Sequence, residues 1–130
     1  MVDACPFCSR IAAGEVAARV GTAVAFPDAF PVADGHTLVV PVTHLADLLA
    51  LNPDELRDLW TLALTIAREL RNAGADGVNI GANVGAAAGQ TVAHAHLHVI
   101  PRRAGDAADP RGGIRWVLPD RAAYWNRPRD

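Results

Sequence analysis

The sequence predicts an α+β fold, and two observations carry that expectation. Five short candidate strands are punctuated by Gly, Pro and Asp, and one long amphipathic helix falls among them. A wound parallel sheet would need helices alternating with strands, and only one segment is long enough.

Taken in order, Pro6 to about Ala13 reads as a short helix closed by Gly14. Brief strands are expected near Val16–Gly21 and Ala23–Phe26, followed by a turn at Pro27-Asp28. Thr37-Leu38-Val39-Val40 is a continuous apolar run, a buried strand ended by Pro41. The clearest helix follows. Asn52 is a good N-cap, Pro53 suits the first helical position, and Glu55 can reach back to complete a capping box. Leu56, Leu59, Trp60, Ala63, Ala67 and Leu70 recur at helical spacing as its apolar face, and Gly74 supplies the stop. Strands near Val78–Asn83 and Ala95–Pro101 are joined by a Gly/Ala-rich turn, so they can pair directly and antiparallel.

The run His94-Ala95-His96-Leu97-His98-Val99-Ile100 carries the chemistry. Three of the five histidines occupy every second position. In a strand that spacing puts three imidazoles on one face and Ala95, Leu97 and Val99 on the other. Imidazoles are poor core material because neutral histidine still needs hydrogen-bond partners, so something anionic or metallic should face the row.

Residues 89–102, from Gly89-Gln90-Thr91 through the histidine row to Pro101-Arg102, resemble the signature of the histidine-triad (HIT) superfamily. Asp28 with Gly35-His36-Thr37-Leu38-Val39-Val40-Pro41 and His44 resembles the family's nucleoside-binding strand. Asn79-Ile80-Gly81-Ala82-Asn83 resembles the strand before its phosphate-binding turn. The likeness spans roughly residues 5 to 103. It implies a HIT-like fold: a five-stranded antiparallel sheet with one long helix and a short N-terminal helix. The expected organisation is a HIT domain over 1–105, with its N-terminal Cys-x-x-Cys, and an extended arm over 106–130. Trp116, Tyr124 and Trp125 would anchor that arm.

By resemblance, His96 is a nucleophile toward an α-phosphorus, forming a nucleotidyl-histidine that water releases. Chemistry permits this, because a neutral imidazole is available near neutral pH. His98 and His36 would flank the phosphate, stabilising charge or protonating the leaving group. Asn83, Gln90 and Thr91 are candidate donors to phosphate oxygens, and the turn ending at Gly89 can bring backbone amides close. Asp28 sits at the family's ribose-binding position; its other reading is a plain turn aspartate.

Cys5-Pro6-Phe7-Cys8 is a second constellation, open to readings as half a zinc site, a redox couple or a chance pair. Zinc-bearing relatives complete the site with residues matching His44 and His94. Four protein ligands make a closed, structural zinc site, one per chain. That divides the row: His94 for metal, His96 and His98 for phosphate. A straight strand would crowd the two functions together; a local bend before His96 would resolve this.

Charge excludes some classes. Residues 1–100 carry a net −5 and residues 101–130 a net +3, against −2 overall. The acidic body argues against non-specific nucleic-acid binding. No run is long and apolar enough to cross a bilayer, and Met1–Pro6 offers no secretory signal, so the expected location is cytoplasmic. Three functions stay open. The first is hydrolysis at the α-phosphate of diadenosine polyphosphates, with Arg102 and Arg103 available to a longer phosphate chain. The second is a Hint-type purine-nucleoside phosphoramidase, and the third a nucleotide sensor without chemistry. The longer galactose-1-phosphate uridylyltransferases are disfavoured, since they carry glutamine where this chain has His98. The resemblance also implies a homodimer.

Overall fold

The computed structural model describes residues 5–127. Residues 1–4 and 128–130, the outer ends of the expected domain and arm, lie outside the described residues. The chain order is α1 (Pro6–Ala12), β1 (Ala18–Val20), β2 (Ala23–Pro27), β3 (Thr37–Pro41), α2 (Pro53–Asn72), β4 (Gly77–Gly81), β5 (Leu97–Arg102) and α3 (Pro119–Ala122). Five strands form one antiparallel sheet in the order β1-β2-β3-β5-β4. The α+β plan with a single long helix is the observed one.

The helix α2 starts as its sequence dictates. The Asn52 side chain accepts from the Glu55 N–H at 2.8 Å, and Glu55 reaches back to the Asn52 N–H at 3.1 Å. Asp54 and Glu55 in the first turn and Arg71 in the last complement the helix dipole. Its buried face is Leu59, Leu62, Ala63, Ile66 and Ala67, packed on Ala23, Ala25, Val39, Leu97 and Val99 of the sheet. Leu59 and Ala63 match the expected stripe. Trp60 does not: it is 40 % exposed, because the contact face turns toward Leu62 and Ile66. Leu56 and Leu70 sit at the border of the core, partly buried.

The other sheet face is covered in part by α1, whose Phe7 packs with Val24, Phe26, Leu38 and Val40. Alternation along β5 assigns each residue to a face. Leu97, Val99 and Pro101 are buried, while His98, Ile100 and Arg102 are half-exposed on the face opposite α2.

Two expectations are corrected. The last strand begins at Leu97, not Ala95, and residues 92–94 form a bend. The C-terminal segment is not an extended arm: it folds into a short 3-10 turn (Gly113–Val117), α3 and another 3-10 turn (Tyr124–Asn126). Arg115 holds these pieces together by donating to the carbonyls of Ala122 and Arg121, each at 2.9 Å.

Candidate active site

The bend before β5 sends the rings of the histidine row to two places. His94 is fully buried and turns toward α1, while His96 and His98 face a cavity. Hydrogen bonds fix the proton on each ring, because a carbonyl oxygen can only accept and a backbone N–H can only donate.

His94 Nε2–H donates to the Pro41 carbonyl at 2.8 Å, leaving the lone pair on Nδ1. That Nδ1 lies 3.5 Å from Cys5 Sγ and 3.6 Å from Cys8 Sγ; His44 Nδ1 lies 3.3 Å from Cys8 Sγ. All four donor atoms lie within 4.8 Å of one another. A tetrahedral zinc with ordinary Zn–S and Zn–N bonds spaces its ligands by roughly 3.3–3.8 Å, so the set fits that ion. The Pro41 carbonyl stands where an outer partner would orient a metal-binding histidine. Burial and then Cys5 push the Cys8 thiol up, so taking up a cation here would release protons.

His96 Nδ1–H donates to the His94 carbonyl at 2.7 Å, which leaves Nε2 as the bare nitrogen. Phe7 packs edge-on against this ring, with centroids 5.0 Å apart. His36 Nδ1 accepts from the Val32 N–H at 3.1 Å, so its proton is on Nε2. That Nε2–H donates to His98 Nδ1 at 2.9 Å, and His98 must then carry its own proton on Nε2. The site thus presents one imidazole lone pair, on His96, beside one imidazole donor, on His98; their ring centroids are 5.0 Å apart.

Burial is the main cause of depressed basicity in both His36 and His98. The charges of His96 and His36 lower His98 further, whereas Asp28 raises both. Asp28 Oδ2 lies 3.4 Å from His36 Nε2, and its Oδ1 accepts from the Phe30 N–H at 2.8 Å. The aspartate is therefore a turn residue that also faces the site.

The cavity has a volume of about 350 Å³. Asp28, His36, Asn83, Gly89, Thr91, His96 and His98 line it, so seven of the expected residues meet in one place. Gly89 adopts φ +94, a left-handed conformation that lets the chain turn past the cavity. Gln90 is the exception. Its two amide protons go to the carbonyls of Ala46 and Val92, at 2.8 and 3.0 Å, and its oxygen accepts from the Gly85 N–H at 2.8 Å. Gln90 shapes the turn and has no donor left for a phosphate. Arg102 is also already engaged: it makes paired 2.8 Å bonds to Asp106, whose carboxyl it holds down at about 2.

The wall contributed by α1 was not foreseen. Pro6, Phe7 and Arg10 line the cavity with Phe30, Val32 and Leu38. Arg10 lies over the Phe26 ring, 4.2 Å from its centroid, and donates to the Pro27 carbonyl. Phe7 lies inside the Cys-x-x-Cys segment and Arg10 only two residues past it. A metal that pins this segment to the sheet was the one available signal for that wall.

Comparison with known proteins agrees with this geometry. The profile described as HIT domain matches residues 13–105. An uncharacterised HIT-like protein from Mycoplasma genitalium is 42 % identical over 104 residues, covering 77 % of this chain and 74 % of that protein. A bis(5'-nucleosyl)-tetraphosphatase (asymmetrical) from Schizosaccharomyces pombe is 37 % identical over 92 residues, 70 % of this chain and 50 % of that protein. Among solved structures, a zinc-bound histidine triad family protein from Mycobacterium smegmatis superposes with a TM-score of 0.74. It is 38 % identical, covering 81 % of this chain and 79 % of that one.

Proposed function

The chain belongs to the HIT domain family, and from that premise we propose that it is a nucleotide hydrolase acting at the α-phosphate of diadenosine polyphosphates. The observation that carries this reading is the pair of opposite tautomers, a bare Nε2 on His96 beside a protonated Nε2 on His98. His96 Nε2 attacks the α-phosphorus, and the bond from phosphorus to the bridging oxygen breaks. The polyphosphate departs as an anion, its oxygen held by a hydrogen bond from the neutral His98 Nε2–H. Water then attacks the same phosphorus, the P–N bond breaks with its electron pair returning to His96 Nε2, and the proton of the water passes to solvent as the nucleotide leaves.

Asn83 and Thr91 supply donors to the phosphate oxygens, the Gly89 N–H being held by the Ala86 carbonyl at 3.0 Å, and Asp28 accepts from the sugar hydroxyls. The apolar wall of Phe7 and Leu38 takes the base. The tetraphosphatase activity of the fission-yeast relative supports this choice of substrate. Cys5, Cys8, His44 and His94 hold a structural zinc that ties α1 to the sheet and leaves no ligand position open. Exposed Trp60 and Leu64 on α2, the latter lining a groove with Val78 and Ile80 of the edge strand β4, support a homodimer through that face.

A second reading keeps the same nucleophile: in a purine-nucleoside phosphoramidase, the leaving group is an amine that draws its proton from solvent and is held beside the His98 Nε2–H. The engaged Arg102 favours it, since one cation expected to greet a long phosphate chain is neutralised. The deciding experiment compares turnover of diadenosine tetraphosphate and adenosine 5'-phosphoramidate, with His96→Ala as the blank. Preference for the dinucleotide supports the proposal, and preference for the phosphoramidate replaces it. Tight AMP binding with turnover of neither would make the protein a sensor.

A further inference from the structure

Past His98, the outward row of β5 continues with Ile100 and Arg102, and β4 sets Asn79 opposite Ile100. The C-terminal segment folds back over this stretch and borders a second, open cleft of about 620 Å³, within the roughly 300–1,000 Å³ range of ligand sites. Its seat depends on Gly81: a Cβ there would lie 3.2 Å from Ile114 Cδ1. Val32 lines both this cleft and the catalytic cavity, so the two are neighbours with one exposed side chain between them.

The walls that matter are Ile100, Ile114 and Trp116. The Trp116 ring is fixed by its Nε1–H, which donates to the Arg111 carbonyl at 2.7 Å. Arg102 brings little free charge, because Asp106 neutralises it and Asn79 Oδ1 accepts from it at 2.7 Å. With Asn79 Oδ1 so engaged, its amide nitrogen is the group left to donate to a ligand. An apolar slot with one aromatic wall and one amide donor suits a planar, uncharged heteroaromatic ring and not a phosphate.

We infer that this cleft is a leaving-group subsite that takes the base of the second nucleoside of a dinucleoside polyphosphate. The inference rests on the hydrolase reading above. Ile100 follows His98 by two residues on the same face, about 7 Å along the strand, so the leaving group runs toward the cleft as it departs from His98.

The test measures kcat/KM for diadenosine tetraphosphate and for adenosine 5'-phosphoramidate, whose leaving ammonia cannot reach the cleft. It compares the wild type with Trp116→Ala and, as a change outside the C-terminal segment, Ile100→Ala. The ratio of the two values should fall about tenfold in each variant, the scale of one lost base–aromatic stack. A ratio that stays within about twofold in both variants overturns the subsite while leaving the hydrolase reading standing. If the wild type turns over neither substrate, the hydrolase reading fails. The cleft is then judged by calorimetry with a methylene-bridged diadenosine tetraphosphate. Tighter binding than AMP, with the margin lost in Trp116→Ala, supports the subsite, and equal binding overturns it.

Discussion

His94 and His96 are joined through a 2.7 Å hydrogen bond from the His96 ring to the His94 backbone carbonyl, while the His94 ring points the other way, into the cysteine pair. One residue thus orients the proposed nucleophile with its backbone and the proposed metal with its side chain. Whatever disturbs the cluster should be felt at the nucleophile.

Removing zinc should therefore act on stability first and turnover second. The protein is expected to carry one zinc per chain, lost in Cys8→Ser. The thermal midpoint should then drop on the order of 10 °C, as befits a structural metal. Metal analysis with calorimetry checks this; a Cys8→Ser protein of unchanged midpoint would sink the structural role.

His96→Ala should abolish turnover, by about 10³-fold or more, while AMP still binds. Rapid-quench trapping of a nucleotidylated wild-type chain, absent from the variant, is the direct check. A variant that keeps turning over would rule out the covalent scheme.

Acid should weaken both fold and activity. Burial holds His36 and His98 below the 6.5 of an exposed histidine. As pH falls below 6.5 the unfolded chain takes up protons before the folded one. The contribution of the neutral rings is thus complete above 6.5 and is lost toward their depressed values. Turnover should follow, because His98 Nδ1 must stay bare to accept from His36. Asp28→Asn removes the charge that raises both rings, so both midpoints should move further down. Imidazole NMR titration reads this, and a midpoint above 6.5 for either ring would contradict it.

Asn52→Ala should cost about 1 kcal/mol by removing half of the capping box, lowering the thermal midpoint by roughly 4–6 °C. Turnover per folded molecule should not change, because the cap lies at the start of α2 and does not line the cavity. A larger loss of activity than of stability would show that α2 positions the site more directly.

Part of the site was legible in spacing: period two sets His96 and His98 apart from Leu97 and Val99, although the strand itself begins only at Leu97. The roles of these and the other lining residues rest on the likeness to the HIT signature. The capping box of α2 was legible for a similar reason, being built from residues three apart. What spacing could not supply was rotation and bending. Trp60 fits a helical stripe as well as Leu62 does, and only the packed sheet decides which one is covered. The bend that parts His94 from His96 is forced by the Pro41 carbonyl and the cysteine pair, partners distant in sequence. Gln90 has the chemistry of a phosphate donor, but three contacts within its own neighbourhood absorb it. The C-terminal segment misled for a compositional reason. Gly and Pro suggested an extended chain, while Arg115 and the aromatic residues fold it into turns.

The alternation along β5 has a consequence for how such a chain can change over time. Leu97 and Val99 answer to α2, while His98 and Ile100 answer to whatever occupies the cavities. Substitutions at Ile100 can therefore retune specificity at little thermodynamic cost. A one-residue insertion or deletion within the strand has no such freedom: it would drive an imidazole into the core and expose a valine to the substrate. Point substitution is open to this strand, and length variation is closed to it. Innovation by insertion is thus pushed outward, to the turn before the strand and the folded segment after it.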